Sequence, residues 1–266
     1  MAQRSNCILA FLSALTTFIS IIILGFAIVG SATCLEFLTT PSIVLGSLLF
    51  IISIIGLVGA CRSVTWLIGL YIVTVCFIII ILFSFAIFTY RVSLKGAGQD
   101  LPGKAYKEYR LGTYSKWLEK RVEDGKTWNG LKKCYVVQKN VCPLYARRYW
   151  YDTAEKFYTR YLDSLQSGCC KPSNDCGFTY VKPTFWKKEA TNSTNPDCFT
   201  WDNQRNTLCV NCNSCKAGVV DALKFISRGF AMLITGSCVV LSIVVGVAFF
   251  AFAKSMRDAN VQRFPN

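Results

Sequence analysis

Four long apolar runs, none carrying a charge, constrain this chain more than anything else in its 266 residues. They extend from Ile8 to Val29, Ile43 to Ala60, Trp66 to Phe88 and Gly229 to Phe252. A helix rises about 1.5 Å per residue, so each run is long enough for a hydrocarbon core about 30 Å thick. One such run is compatible with a buried helix of a large soluble protein, but four together predict a protein that crosses a membrane four times. A cleaved leader is the rival reading of the first run, because Gly30-Ser31-Ala32 could pass for a processing site. Against it, the apolar core is long for a leader, and little charge beyond Arg4 and the amino terminus precedes it.

The connections between the runs are unequal. Ser31 to Ser42 and Cys61 to Thr65 are short links, whereas Tyr90 to Arg228 is long enough to fold as a domain. The expected organisation is therefore residues 1–89 for three membrane helices, 90–228 for a large loop, 229–252 for the fourth helix and 253–266 for a polar tail. The fold class expected is an all-α membrane protein, a four-helix bundle carrying a mainly helical, disulfide-rich loop.

Charge and cysteine placement together orient it. Arg4, Arg62, Lys254, Arg257 and Arg263 fall on one side, while the first short loop holds Glu36 and no Lys or Arg. That bias predicts both termini in the cytosol. The large loop carries 24 of the 29 basic residues against 13 acidic ones, but loops of this length largely escape the charge rule. It also holds Cys134, Cys142, Cys169, Cys170, Cys176, Cys198, Cys209, Cys212 and Cys215, and Cys34 in the first loop makes an even set on the same side. Ten cysteines there could close into five bridges in an oxidising compartment, with a connectivity the sequence leaves open.

Within the large loop, Leu111, Tyr114, Leu118 and Val122 share one side of a helical period, with Lys116, Glu119, Lys120 and Glu123 left for water. Trp150, Ala154, Phe157, Tyr161 and Leu165 predict a second amphipathic helix. From Gly168 to Trp201, Pro172, Pro183 and Pro196 predict turns and short segments held by bridges.

Chemistry has few carriers here. The chain contains no histidine, so it lacks the commonest near-neutral base and the commonest metal ligand. No Asp, Glu, Lys or Arg interrupts the apolar runs, which leaves an ion pathway little to work with. The composition implies no cofactor, metal or enzyme activity. Cys209, Cys212 and Cys215 form overlapping pairs that could exchange thiols or bind zinc, although structural half-cystines are the simpler reading of an exported domain. Asn192 begins a glycan acceptor pattern, and Cys7 and Cys61 lie at cytosolic helix ends where S-acylation occurs. Ser13, Ser20 and Ala27 recur every seventh residue, as do Gly46, Ser53 and Ala60, predicting close helix packing. A formal charge of +14, mostly on the exoplasmic side, excludes nucleic acid as a natural partner and suits anionic glycans or acidic proteins.

Gly168-Cys169-Cys170-Lys171-Pro172, followed by Cys176-Gly177-Phe178, closely resembles the signature of plant tetraspanins. The resemblance extends over nearly the whole chain, including Cys34 in the first loop and Cys61-Arg62 in the second. Ser173 stands where many plant members carry a second proline. The resemblance implies a membrane organiser, acylated at Cys7 and Cys61, in the plasma membrane or endomembranes, bound laterally to other tetraspanins, membrane proteins and lipids, in cell communication or development. It assigns structural roles to Cys169, Cys170 and Cys176. The competing functional classes are an exoplasmic thiol oxidoreductase and a small channel or transporter.

Overall fold

The computed structural model describes residues 2–31, 36–62, 65–189, 193–204 and 207–263. These fall into two compact units, Met1–Ile87 with Ala231–Asn266, and Phe88–Phe230.

The first unit is built from α1 (Ala2–Ser31), α2 (Glu36–Arg62), α3 (Thr65–Leu94) and most of the last helix, α10 (Asn213–Arg263). Among the described residues, Ile43–Arg62, Trp66–Leu94 and Asn213–Lys254 are long and apolar enough to cross a membrane, with mean hydropathies of 2.7, 2.9 and 2.5. In α1 the described side chains contribute a shorter apolar stretch, Ser13–Ile22. Many large side chains point outward, such as Phe77 at 64% and Phe250 at 76% exposure. Water would oppose so much exposed hydrocarbon, whereas lipid is its natural solvent.

Inside the unit, Ile52, Tyr71, Val75, Leu82, Leu241 and Val244 join in one core of α2, α3 and α10 side chains. Several small residues of α1 and α2 are enclosed by the packing. Ser13, Ser20, Gly46, Ser53 and Ala60 are all buried. Ala27 lies in α1, but its side chain is outside the described residues. The tightest point is Gly56, outside both heptad stripes: a Cβ there would meet the Tyr71 ring at 2.7 Å and the Ser13 hydroxyl at 2.9 Å. Hydroxyl groups need not bridge helices to be satisfied, since Ser53 donates to the Leu49 carbonyl and Ser20 to that of Thr17.

The second unit begins with a short antiparallel hairpin, β1 (Gln99–Asp100) and β2 (Lys107–Glu108), in which Gln99 pairs with Glu108. Next come α4 (Lys116–Glu123), α5 (Gly125–Leu131) and a π-helical stretch, Lys132–Gln138. Then follow α6 (Val141–Tyr149), α7 (Ala154–Tyr158) and α8 (Ser164–Cys169). A second hairpin, β3 (Thr179–Lys182) with β4 (Phe185–Lys187), and the one-turn α9 (Asp197–Thr200) lead to the start of α10.

Both amphipathic helices expected in this unit are altered. The first is a 3-10 turn at Leu111–Thr113, extended backbone at Tyr114, and only then α4, whose N-cap Ser115 accepts from the Leu118 amide. The second is broken as well: Trp150 only caps the end of α6, and the rest is divided between α7 and the start of α8. Thr153 and Asp163 each accept from the amide three residues on, so their side chains start new helices and compete with one continuous helix. Tyr161, expected on the apolar face, is consequently 75% exposed. The final membrane helix is also longer than its apolar run, because α10 continues without a break from Asn213 to Arg263.

Candidate functional site

Chemistry-bearing residues of the second unit converge where α8 ends. Helix α8 is short, and a reciprocal capping box holds its start: the Gln166 amide donates to Asp163 at 2.8 Å, and the Asp163 amide donates to the Gln166 side chain at 3.4 Å. It then packs backbone to backbone against α10. A Cβ on Gly168 would lie 2.4 Å from the Ser214 carbonyl oxygen, and one on Gly218 would lie 2.2 Å from that of Ser164. Glycine is required at both positions by that approach.

The close contact aims the adjacent cysteines at different elements. Cys169 is bridged to Cys215 in α10, and Cys170 to Cys142 in α6. Cys176–Cys198 ties the segment after α8 to α9, and Cys209–Cys212 closes a turn just before α10. Cys134 is disulfide-bonded as well. Cys34 and Asn192 lie outside the described residues, as does the side chain of Cys7. Cys61 is a free, exposed thiol at the end of α2, Cys76 is free and half-buried, and Cys238 is free and buried. The bridges over separations of 22 to 46 residues each stabilise the unit by about 3–4 kcal/mol on a chain-entropy basis, against about 1.6 kcal/mol for Cys209–Cys212, with a separation of 3.

Sequence reasoning quoted Lys171 as part of the motif but gave it no role. Its ammonium lies 3.2 Å from the Glu108 carboxylate, and the side chains are only 2% and 3% exposed. Glu108 also accepts from the Ser173 hydroxyl at 2.7 Å and the Asn174 amide at 3.1 Å, while Lys171 donates to the Pro172 carbonyl and lies over the Tyr106 ring. A buried charge lacking such partners would cost several kcal/mol. The sequence carries no signal for this burial: a lysine between a half-cystine and a proline is ordinarily free to reach water, so the pair is decided by tertiary packing. Which of the 13 acidic residues answers it is a matter of tertiary structure.

A second buried carboxylate, Asp197, accepts from the Asn213 and Ser214 amides, both at 2.8 Å. It thereby satisfies donors left open at the α10 N-terminus and opposes the positive end of the helix dipole. The unit also holds an aromatic core centred on Phe157, which is fully buried. Tyr180 stacks on it at 4.5 Å, with Tyr106, Tyr145 and Trp186 packed around it. The Tyr145 hydroxyl donates to the Pro183 carbonyl, and burial raises its phenol well above the usual range. Burial, with Asp152 and Tyr158 nearby, pushes the Tyr180 phenol up to about 12. These phenols are neutral hydrogen-bond donors at physiological pH.

Among the described residues no cluster of Cys, Asp and Glu is placed to hold a metal ion. Cys209 and Cys212, the candidates for thiol exchange, are oxidised to each other and almost wholly buried. On the outside, α6, the β3–β4 turn and Leu208 bound an open groove of about 560 Å³.

Long apolar helices joined to a disulfide-stapled, mainly helical domain define a polytopic all-α membrane protein. Within that class the assignment is specific: the family model described as Tetraspanin family matches residues 5–255, and the chain belongs to that family. It is 43% identical to Tetraspanin-8 of Arabidopsis thaliana, over 99% of this chain and 98% of that one. Tetraspanin-7 of the same organism is 42% identical, over 97% and 99% of the two chains. Protein TORNADO 2, also from Arabidopsis thaliana, is 33% identical over 94% of each. No solved structure matches the chain.

Proposed function

We propose that this tetraspanin is a membrane organiser. Four helices anchor it in the plasma membrane or an endomembrane, with both termini cytosolic and residues 90–228 extracellular or lumenal. There the large loop selects lateral membrane-protein partners, and assembly with other tetraspanins and lipids gathers them into microdomains serving cell communication or development. The observation that carries this reading is the set of bridges in Phe88–Phe230, which would persist in an oxidising compartment. Burial of Cys209 and Cys212 favours scaffolding over thiol exchange. Acylation of Cys7 and Cys61 and a glycan on Asn192 belong to the same proposal.

The test is purification of the full chain in mild detergent beside a chimera in which residues 90–228 come from a relative. A changed partner set with intact membrane insertion is expected. An unchanged set would remove the loop from partner choice. Tags at each terminus and in the large loop test orientation by protease protection, which must place the loop tag opposite both ends.

A further inference from the structure

The groove beside α6 joins aromatic and cationic groups next to Cys142, the half-cystine bridged to Cys170. Its lining includes Pro143, Arg147, Trp150, Tyr151, Thr184 and Leu208. Its volume, about 560 Å³, lies within the roughly 300–1,000 Å³ of small-ligand sites. Arg147 is exposed, and no carboxylate lines the groove among the described residues. Lys182 brings a second cation to the edge, its ammonium 4.1 Å from the centre of the Trp150 ring. Asp152 follows Tyr151 in the chain, but its carboxylate is occupied by Arg160 and Lys156. The unit around the groove is itself strongly basic.

Tyr151 is 94% exposed, so its ring stands at the rim almost free of protein contacts. A flat ring beside a guanidinium matches a ligand that alternates C–H faces with carboxylates. Sugar rings present such faces to aromatic side chains, and a planar guanidinium holds a carboxylate through two parallel hydrogen bonds. An acidic peptide fits less well: helix α6 uses its own backbone groups internally, and on the adjacent strand β4 the Trp186 amide and carbonyl are taken by the Asn203 side chain.

We propose that this groove binds an acidic oligosaccharide built of uronic acid units, with Arg147 and Lys182 on its carboxylates and Tyr151 stacked on a sugar ring. This goes beyond lateral assembly in the membrane and does not depend on it.

The experiment uses the full chain in nanodiscs of uncharged phosphatidylcholine and a fluorescent oligogalacturonate as probe. Controls are its fully methyl-esterified form and a polyglutamate of equal charge. Binding of the oligogalacturonate, with little of the ester, is expected. Arg147→Gln should raise Kd about tenfold, and Tyr151→Ala about fivefold with an unchanged salt dependence. Lys126→Gln, the same charge change outside the groove, should leave Kd unaltered. Tyr151→Ala, at a nearly free ring, keeps the test decisive if Arg147→Gln folds poorly. Equal affinity for polyglutamate together with indifference to Tyr151→Ala would overturn the proposal in favour of an acidic-peptide surface. Indifference to Arg147→Gln in folded protein would overturn it outright.

Discussion

Lys171 and Glu108 form an ion pair 3.2 Å long in which neither side chain is more than 3% exposed. The pair joins the segment after the vicinal cysteines to strand β2, so it acts across 63 residues of sequence. Breaking one half should cost more than replacing both. We expect Lys171→Met to destabilise the folded domain by about 3–5 kcal/mol, because it strands the Glu108 charge. Adding Glu108→Gln removes that charge and keeps an acceptor for Ser173 and Asn174, so much of the loss should be recovered. Thermal unfolding of the full-length variants in detergent would show it, and a double variant no more stable than Lys171→Met would contradict it.

Gly168 should tolerate no side chain. A Cβ placed 2.4 Å from the Ser214 carbonyl oxygen would force α8 and α10 apart at the point where Cys169 and Cys215 are joined. Gly168→Ala is expected to cost about 1–3 kcal/mol and to lower the yield of folded protein recovered from membranes. Gly112→Ala, where a Cβ would meet nothing within 4 Å, is the matched control and should change stability by less than about 0.5 kcal/mol.

The bridges should differ in weight. Replacing Cys169 and Cys215 by serine opens a 46-residue loop, whereas replacing Cys209 and Cys212 frees a separation of 3. The first pair of substitutions should cost about two and a half times as much as the second on entropic grounds. Protease resistance of surface-labelled protein would rank them, and equal losses would show that the short bridge has another role. Wild-type export, partner recovery and protease resistance in Cys169→Ser and Cys170→Ser would contradict a stapling role for the motif.

Asp152 makes part of the stability dependent on acid. Hydrogen bonds from Arg160 hold its carboxyl below the ordinary range; burial opposes the shift, while the charges of Arg160 and Lys156 add to it. Its unfolded value is about 3.9. The folded value is lower, so the contribution is fully present above about pH 4 and is lost as pH falls through the folded value. Asp152→Asn should lower Tm near neutrality and flatten its fall below pH 4. A parallel fall in both proteins would assign the acid sensitivity elsewhere.

The membrane helices were legible in the sequence because lipid imposes one simple demand. Each crossing must bury its backbone hydrogen bonds within itself and show hydrocarbon outward, so composition over about 20 residues is enough. The small-residue stripes also identified positions that are buried, including Ser13 and Ala60. They missed Gly56, since its contact with Tyr71 depends on how α3 lies against α2. In the large loop, the apolar residues Leu111, Tyr114, Val122 and Phe157 are buried as the periodicity requires. The helices are nevertheless shorter than the periods imply, because Ser115, Thr153 and Asp163 cap new starts within them.

From sequence alone came the membrane class, the division into apolar helices and a cysteine-rich loop, and the motif that marks the family. Tertiary structure alone decided which cysteine meets which, why Gly168 precedes the pair, and that Lys171 is answered by Glu108. Apolarity and charge are properties of single residues and short runs, so they can be read in order along the chain. A bridge, a backbone contact or a buried ion pair instead needs two distant groups at one point in space. Which pairs meet follows from how the helices and hairpins of Phe88–Phe230 pack against one another at once.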